Sequence, residues 1–151
     1  MGKLVVVQGD AVQGTDTHTV SGTLPPPGGE YAGTAQYQYV GSITDKLSAF
    51  VKVGGKPVAL LTSMSSLKTG HVAALGKGFM PSSPIPTPAN VMLNPAIVGV
   101  GVPNSGAGST VLTVGGIKVL LDSDKIDTCD GFGSANSTVT AAGQSFVSCS
   151  G

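Results

Sequence analysis

Arginine and tryptophan are absent from this sequence, and charge is scarce. All eight basic residues are lysines, eight acids balance them, and 11% of positions are charged. A protein that tracks a nucleic-acid backbone carries a basic stripe with arginines for forked contacts. None is present, so nucleic acid is set aside as a partner. Aromatics make up 5% of the chain; Val, Leu, Ile and Thr must fill the interior, and these favour strands. Long apolar runs are missing too. Leu4–Val7 is ended by Gln8, Gly9 and Asp10, and Ala96–Val102 is cut by glycines. Neither has the length of a signal-peptide core or a membrane span. The expectation is a product made in the cytoplasm without a signal peptide, exported only by a machine that carries it.

Glycine is plentiful, at 23 residues, with 10 prolines, in a chain of 151 residues that fits a single domain, 1–151. The regular segments repeat. Phe50–Leu61 and Thr110–Leu121 each consist of a β-prone arm, a Gly-Gly pair and a second β-prone arm. That pattern marks a hairpin, because its tight turn needs positive φ. Thr138–Val147, around Gly143, is a weaker copy, and Lys3–Val7 reads as a second arm without its first. Pairing Lys3–Val7 with the C-terminal copy would close a ring of three hairpin units. The expected fold is all-β with pseudo-threefold symmetry, with little helix beyond a turn within Thr69–Leu75. Two long loop insertions separate the units, at approximately 24–46 and 76–108. The first holds all three tyrosines, Tyr31, Tyr37 and Tyr39, and Gln36–Tyr39 reads as a short edge strand. The second is proline-rich, which disfavours a long helix or a central strand. Both are expected to lie against the protein or a partner.

The residues with metal chemistry are few: His18, His71, Cys129 and Cys149. His18 follows the first β arm. His71 and Cys129 follow the second arms of the next two units, at similar distances past Gly54 and Gly115. Each unit therefore delivers one ligand from an equivalent post-hairpin loop, and such loops converge on a threefold axis. A tetrahedral Zn²⁺ needs four ligands, and Cys149 is the one remaining. Blander readings stand beside this one. Each histidine can be a solvated loop residue, and the cysteines can form a disulfide or be unrelated buried thiols.

Catalytic patterns are lacking, and the chain is expected not to be an enzyme. No Gly-x-Ser-x-Gly elbow or nucleophile–His set is recognisable. Val53-Gly54-Gly55-Lys56 lacks the leading glycine and the following Ser/Thr of a phosphate loop. Asp122, Asp124, Asp127 and Asp130 surround Cys129, but without the glycine and distal glutamate of a calcium loop. They read as turn-forming residues.

Three stretches carry a resemblance: Gly55-Lys56-Pro57-Val58-Ala59, Gly9-Asp10 followed by His18, and the arm Ser109–Gly116. Together they resemble PAAR-repeat proteins over residues 1–22, 47–71 and 109–151. Pro57-Val58-Ala59-Leu60 has no arginine, and Lys118-Val119-Leu120-Leu121 has no proline. The chain is thus similar to a diverged branch of that family. The resemblance implies a small cone of β-hairpins with one structural Zn²⁺ per chain, held near the apex by His and Cys. It implies a triangular base seated on a homotrimeric, VgrG-like or phage gpV-like spike. The implied role is the spike tip of a contractile injection system (type VI secretion, an extracellular injection particle or a phage tail). Such a tip sharpens the spike for membrane piercing, touches the target membrane transiently and can carry effector or cargo proteins. The alternative is a free-standing β-rich binding or adhesin-like module stabilised by a Cys129–Cys149 disulfide.

Overall fold

The computed structural model describes residues 2–80, 87–94, 99–128 and 135–150. Fourteen strands run along them. The first seven are β1 (Lys3–Leu4), β2 (Ala11–Thr23), β3 (Glu30–Asp45), β4 (Lys52–Val53), β5 (Lys56–Pro57), β6 (Met64–Leu67) and β7 (Lys77–Met80). The others are β8 (Ala89–Leu93), β9 (Val100–Pro103), β10 (Thr113–Val114), β11 (Ile117–Lys118), β12 (Lys125–Asp127), β13 (Ser137–Thr140) and β14 (Ser148–Cys149). The only helical piece among the described residues is a 3-10 turn at Ala73–Leu75. The all-β expectation holds, and the turn falls within Thr69–Leu75.

Three short apolar segments meet in a closed cycle of backbone hydrogen bonds. Val6 N–H donates to Leu120 C=O (3.0 Å), Leu120 to Ala59 (3.0 Å) and Ala59 to Val6 (2.9 Å). Bridges Val5–Leu121, Val7–Val58 and Leu60–Val119 flank the cycle. Successive side chains of extended backbone point to opposite faces. Val6, Ala59 and Leu120 therefore join one core with Val12, Tyr39, Ile43, Ile126 and Val139. Val5, Val7, Val58, Leu60, Val119 and Leu121 form a second on the other side. Each segment ends in the same turn. Asp10 Oδ2, Ser63 Oγ and Asp124 Oδ2 accept from the amides of Val7, Leu60 and Leu121, each at 2.8 Å.

The base hairpins follow the glycine signal. β4 and β5 pair across Gly54-Gly55 (φ 57 and 79°), and β10 and β11 across Gly115-Gly116 (φ 59 and 80°). Both central residues lie in the left-handed region, as a two-residue type I′ turn requires. The unit built on Lys3–Val7 differs from expectation. Lys3–Val7 does supply its second arm, but the first is Val147–Cys149: Lys3 pairs with Cys149 and Leu4 with Ser148. Thr138 lies instead in β13, which pairs with β12 and β2. Gln144 fixes the register. Its Oε1 accepts from Val147 N–H (2.8 Å), as Ser48 Oγ does from Val51 (3.0 Å) and Ser109 Oγ from Leu112 (2.9 Å). Gly143 is no turn glycine. A Cβ there would sit 2.6 Å from Val7 Cγ2 and 2.9 Å from Asp10 Oδ1, so glycine permits a close approach.

Beyond its turn, each unit contributes two strands to a ring: β2 and β3, β6 and β9, β12 and β13. The pairings run β3–β6–β9–β12–β13–β2 and back to β3, all antiparallel. Closure leaves this ring no edge strand. The β2–β3 ladder extends from Ala11↔Ser42 to Thr23↔Glu30, whereas β13 reaches only Gly14 and β6 only Gly41. The hairpin runs on past the ring for about 30 Å at ~3.4 Å per residue. There β8 pairs with β2 and β7 with β3.

The insertions are therefore more regular than expected. Most of 24–46 is β3, and Gln36–Tyr39 lies within a 16-residue strand rather than forming an edge. The period-two burial of Tyr31, Ala35, Tyr37, Tyr39 and Ile43 explains why. Within 76–108 lie β7, β8 and β9, and β9 sits inside the ring with Pro103 at its end. Of the aspartates near Cys129, Asp124 also accepts from Gly108 N–H, Asp122 from Ala141 N–H and Asp127 from Ala135 N–H. Asp124 thus caps its own turn through Leu121, and the bonds from Gly108 and Ala141 tie that turn to neighbouring segments; Asp130 lies outside the described residues.

Leu120 is fully enclosed at the cycle. Leu120→Ala should cost about 2–5 kcal/mol in denaturant unfolding, as core truncations of leucine do. Val111→Ala, at an exposed position, should stay within about 0.5 kcal/mol.

Candidate metal centre

Along β2 the residues Val12, Asp16, His18 and Val20 are buried while their neighbours face outward. An Asp-x-His step on a strand puts both side chains on one face. Here that face is interior. Below it lies the ring core with Val12 and Ile43. Above it Val20, Tyr31, Ala35 and Tyr37 pack with Phe79, Val91 and Leu93. Asp16 and His18 thus form a polar layer between two apolar clusters, with 0% and 5% exposure.

The second histidine arrives from a loop. Residues 68–76 join β6 to β7, and His71 reaches inward so that its Nε2 lies 2.7 Å from Asp16 Oδ2. Lys68 N–H bonds Val40 C=O (3.1 Å), and the Tyr37 hydroxyl donates to Ala73 C=O (2.9 Å). The third unit holds the far side of the carboxylate. Asp16 Oδ1 accepts from the Thr128 hydroxyl and from Asn136 Nδ2 (2.8 Å). Asn136 Nδ2 also donates to Thr15 C=O (3.0 Å). All three units therefore converge on Asp16.

His18 completes the group. Its ring lies 5.2 Å from that of His71 and 5.6 Å from that of Tyr37, centre to centre. Its Nε2 is 3.8 Å from Asp16 Oδ2, too far for a hydrogen bond. That nitrogen is buried and has no hydrogen-bond partner among the described residues. An orphaned buried polar atom costs about 1–3 kcal/mol and calls for an explanation.

A metal ion supplies one. Asp16, His18 and His71 each offer a ligand atom, all within 4.8 Å of one another. Donors about 2.0–2.2 Å from one ion must lie within this range, and the 2.7 and 3.8 Å separations suit that. Imidazole and carboxylate are ordinary ligands of divalent transition metals. When bound, the ion would cross-link β2 to the His71 loop, while Thr128 and Asn136 hold the carboxylate's other oxygen.

Of the four residues picked out in the sequence, His18 and His71 are brought together. Their positions are not equivalent loops: His18 is inside a 13-residue strand and His71 in a loop. Cys149 lies apart from the group in β14, its Sγ 3.4 Å from Ser109 Oγ and 3.2 Å from Ser150 C=O, against the base cluster. It is a free thiol among the described residues. Cys129 itself lies outside the described residues. Asp16 went unseen in the sequence, though its spacing from His18 on a strand was a usable signal.

Outside this layer, a cleft of about 550 Å³ opens between the loop and the outer face of β3, lined by Gln36, Tyr37, Gln38, His71, Val72 and Lys77 among others. Comparison with protein-family models, with curated proteins and with solved structures found no match.

Asp16→Ala would strip Thr128, Asn136 and His71 of a shared acceptor. It should destabilise even metal-free protein by about 1–3 kcal/mol for each group left unsatisfied, measured by denaturant unfolding in chelator. Burial raises the pKa of Tyr31 and of Tyr37 above 10.0. A raised folded value means that stability is intact below the unfolded pKa and falls as pH rises through the folded one. Melting temperature should therefore drop above about pH 10, and less steeply in Tyr37→Phe.

Proposed function

We propose that this chain is the tip of a contractile injection apparatus, with one copy capping the end of a homotrimeric spike. The observation that carries this reading is a threefold set of exposed apolar side chains. Phe50, Val111 and Phe146 are 75%, 67% and 72% exposed. They occupy equivalent positions, each directly preceding the arm residue (Val51, Leu112 or Val147) whose amide bonds Ser48, Ser109 or Gln144. The Phe146 ring lies 3.4 Å from where a Cβ on Gly54 would be, and the Phe50 ring 3.8 Å from the same point on Gly115. Each ring thus rests beside the next unit's turn. Single exposed apolar residues are ordinary. Three at symmetry-equivalent places, contributing nothing to the core, suit a partner with three equal sites around its axis. The PAAR resemblance gives that partner its identity as a spike, and a tip acts by shape, without catalysis.

The metal has a place in the same reading. An ion held by Asp16, His18 and His71 would cross-link strand β2 to the loop of the next unit in a part of the molecule that bears load. Zn²⁺, one per chain, fits the two imidazoles. On the sequence argument Cys129, which directly follows Thr128, is a further ligand. The chain would be made in the cytoplasm and leave the cell on the machine, with effectors as optional cargo.

Light scattering of the chain mixed with its purified spike should give one copy per trimer. Phe50→Asp with Phe146→Asp should abolish binding without changing the circular dichroism spectrum. Phe50→Ala alone should weaken it roughly 30-fold, the effect of losing one hot spot of about 2 kcal/mol. The contact is apolar, so added salt should matter little. Three copies per trimer, or no complex at micromolar concentration, would sink the proposal.

A further inference from the structure

The three metal donors are not held alike. Asp16 and His18 stand on β2, a strand paired on both sides: β3 along its whole length, with β13 and β8 opposite. Asp16 is further pinned by Thr128 and Asn136 from the third unit. His71 stands on the loop 68–76, which belongs to no strand ladder. Besides its own 3-10 turn, that loop is tied by Lys68 to Val40, by Ala73 to Tyr37 and by His71 to Asp16. Val72 and Leu75 on it are exposed. The cleft of about 550 Å³ runs beneath it and is lined by His71 itself.

We infer that this is an exchangeable metal site loaded from that cleft, with Asp16 and His18 as standing ligands and His71 as the ligand that closes on the ion. The inference rests on the metal reading of the trio. Its cargo is a divalent ion of the class that accepts imidazole and carboxylate together, such as Zn²⁺, Co²⁺, Ni²⁺ or Fe²⁺. The open nitrogen of His18, buried and without a hydrogen-bond partner among the described residues beside Asp16 Oδ2, marks where the ion enters the donor set. Exchange without unfolding follows from the surroundings. The base cycle is held by backbone hydrogen bonds, and the ring core and the cluster above the site are packed from apolar side chains, all without a metal ligand. Small domains in which metal binding is itself the folding step have no such independent cores.

The test uses the full chain, stripped with a chelator and then given Zn²⁺. Stripped protein should keep its β-sheet circular dichroism spectrum and take up one Zn²⁺ without refolding. Hydrogen exchange should slow on Zn²⁺ addition chiefly in peptides covering 69–76. Asp16→Asn and His71→Ala should each weaken binding by at least about 100-fold, the upper end of what loss of an outer-shell partner costs. Asn136→Ala, a positioning change, should cost about 10–100-fold. Uptake only after refolding, unchanged exchange at 69–76, or wild-type affinity in His71→Ala would overturn the inference while leaving a metal centre in place. Failure of the wild-type chain to bind any divalent metal would remove the metal reading and this inference with it.

Discussion

The cycle of amides linking Val6, Leu120 and Ala59 is the constraint on which everything else hangs. Each segment donates once and accepts once, so the cycle has no free end, and losing one member disturbs two partners. Three hydrogen bonds of about 0.5–1.5 kcal/mol net apiece do not hold the molecule by themselves. Their effect is geometric. They hold three extended segments in one register, and period-two alternation then turns Val6, Ala59 and Leu120 into the ring core and their neighbours into the base core. Burial on both faces supplies the energy, at roughly 1.5–3 kcal/mol for each large aliphatic side chain. These segments lie far apart along the chain. The cost of closing the intervening loops rises only with the logarithm of their length, which is why long β2–β3 and the segment carrying β7 and β8 can be accommodated between them.

The route from cycle to candidate metal centre is short. Strands leaving three related turns close into a ring, and whatever they carry inward meets on its axis. The first unit brings Asp16 and His18, the second His71, the third Thr128 and Asn136. Apolar clusters above and below enclose Asp16 and His18, so these buried polar groups depend on specific partners. Asp16 has several: Thr128 and Asn136 on one oxygen and His71 on the other, with His18 3.8 Å away. That makes the carboxylate, rather than either histidine, the hub of the site.

What could be read from the sequence follows from how local each signal is. The Gly-Gly hairpins were legible because the turn type and its residues are fixed within a few positions. Lys3–Val7 was legible as a half-unit because its apolar run matches Val58–Leu61 and Val119–Leu121. The other half was misplaced because Gly143 was taken for a turn, when it is there to let Val7 and Asp10 approach. Gln144 hid its equivalence to Ser48 and Ser109, since an amide does the work of a hydroxyl. The length of β3 was missed although Tyr31, Ala35, Tyr37, Tyr39 and Ile43 keep one parity. Interposed glycines and the preceding prolines drew the reading towards a loop. At the site the histidines stood out by rarity. Asp16 was one acid among eight, and Thr128 and Asn136 become partners only once β12 and β13 are brought beside β2.

A chain with internal threefold symmetry has a freedom that a true trimer lacks: it can keep the symmetry where symmetry serves and abandon it elsewhere. At the base the repeats stay close to equivalent, in the hydrogen bonds of Ser48, Ser109 and Gln144 and in the exposure of Phe50, Val111 and Phe146. Past the ring they diverge. One unit extends a long hairpin, another sends a loop inward with a single histidine, and the third supplies an amide and a hydroxyl. A symmetric trimer passing through the same point would repeat any ligand three times on the axis. This chain instead assembles two imidazoles and one carboxylate from unlike positions. The repeats thus stay alike at the face that carries Phe50, Val111 and Phe146, and differ where Asp16, His18 and His71 meet.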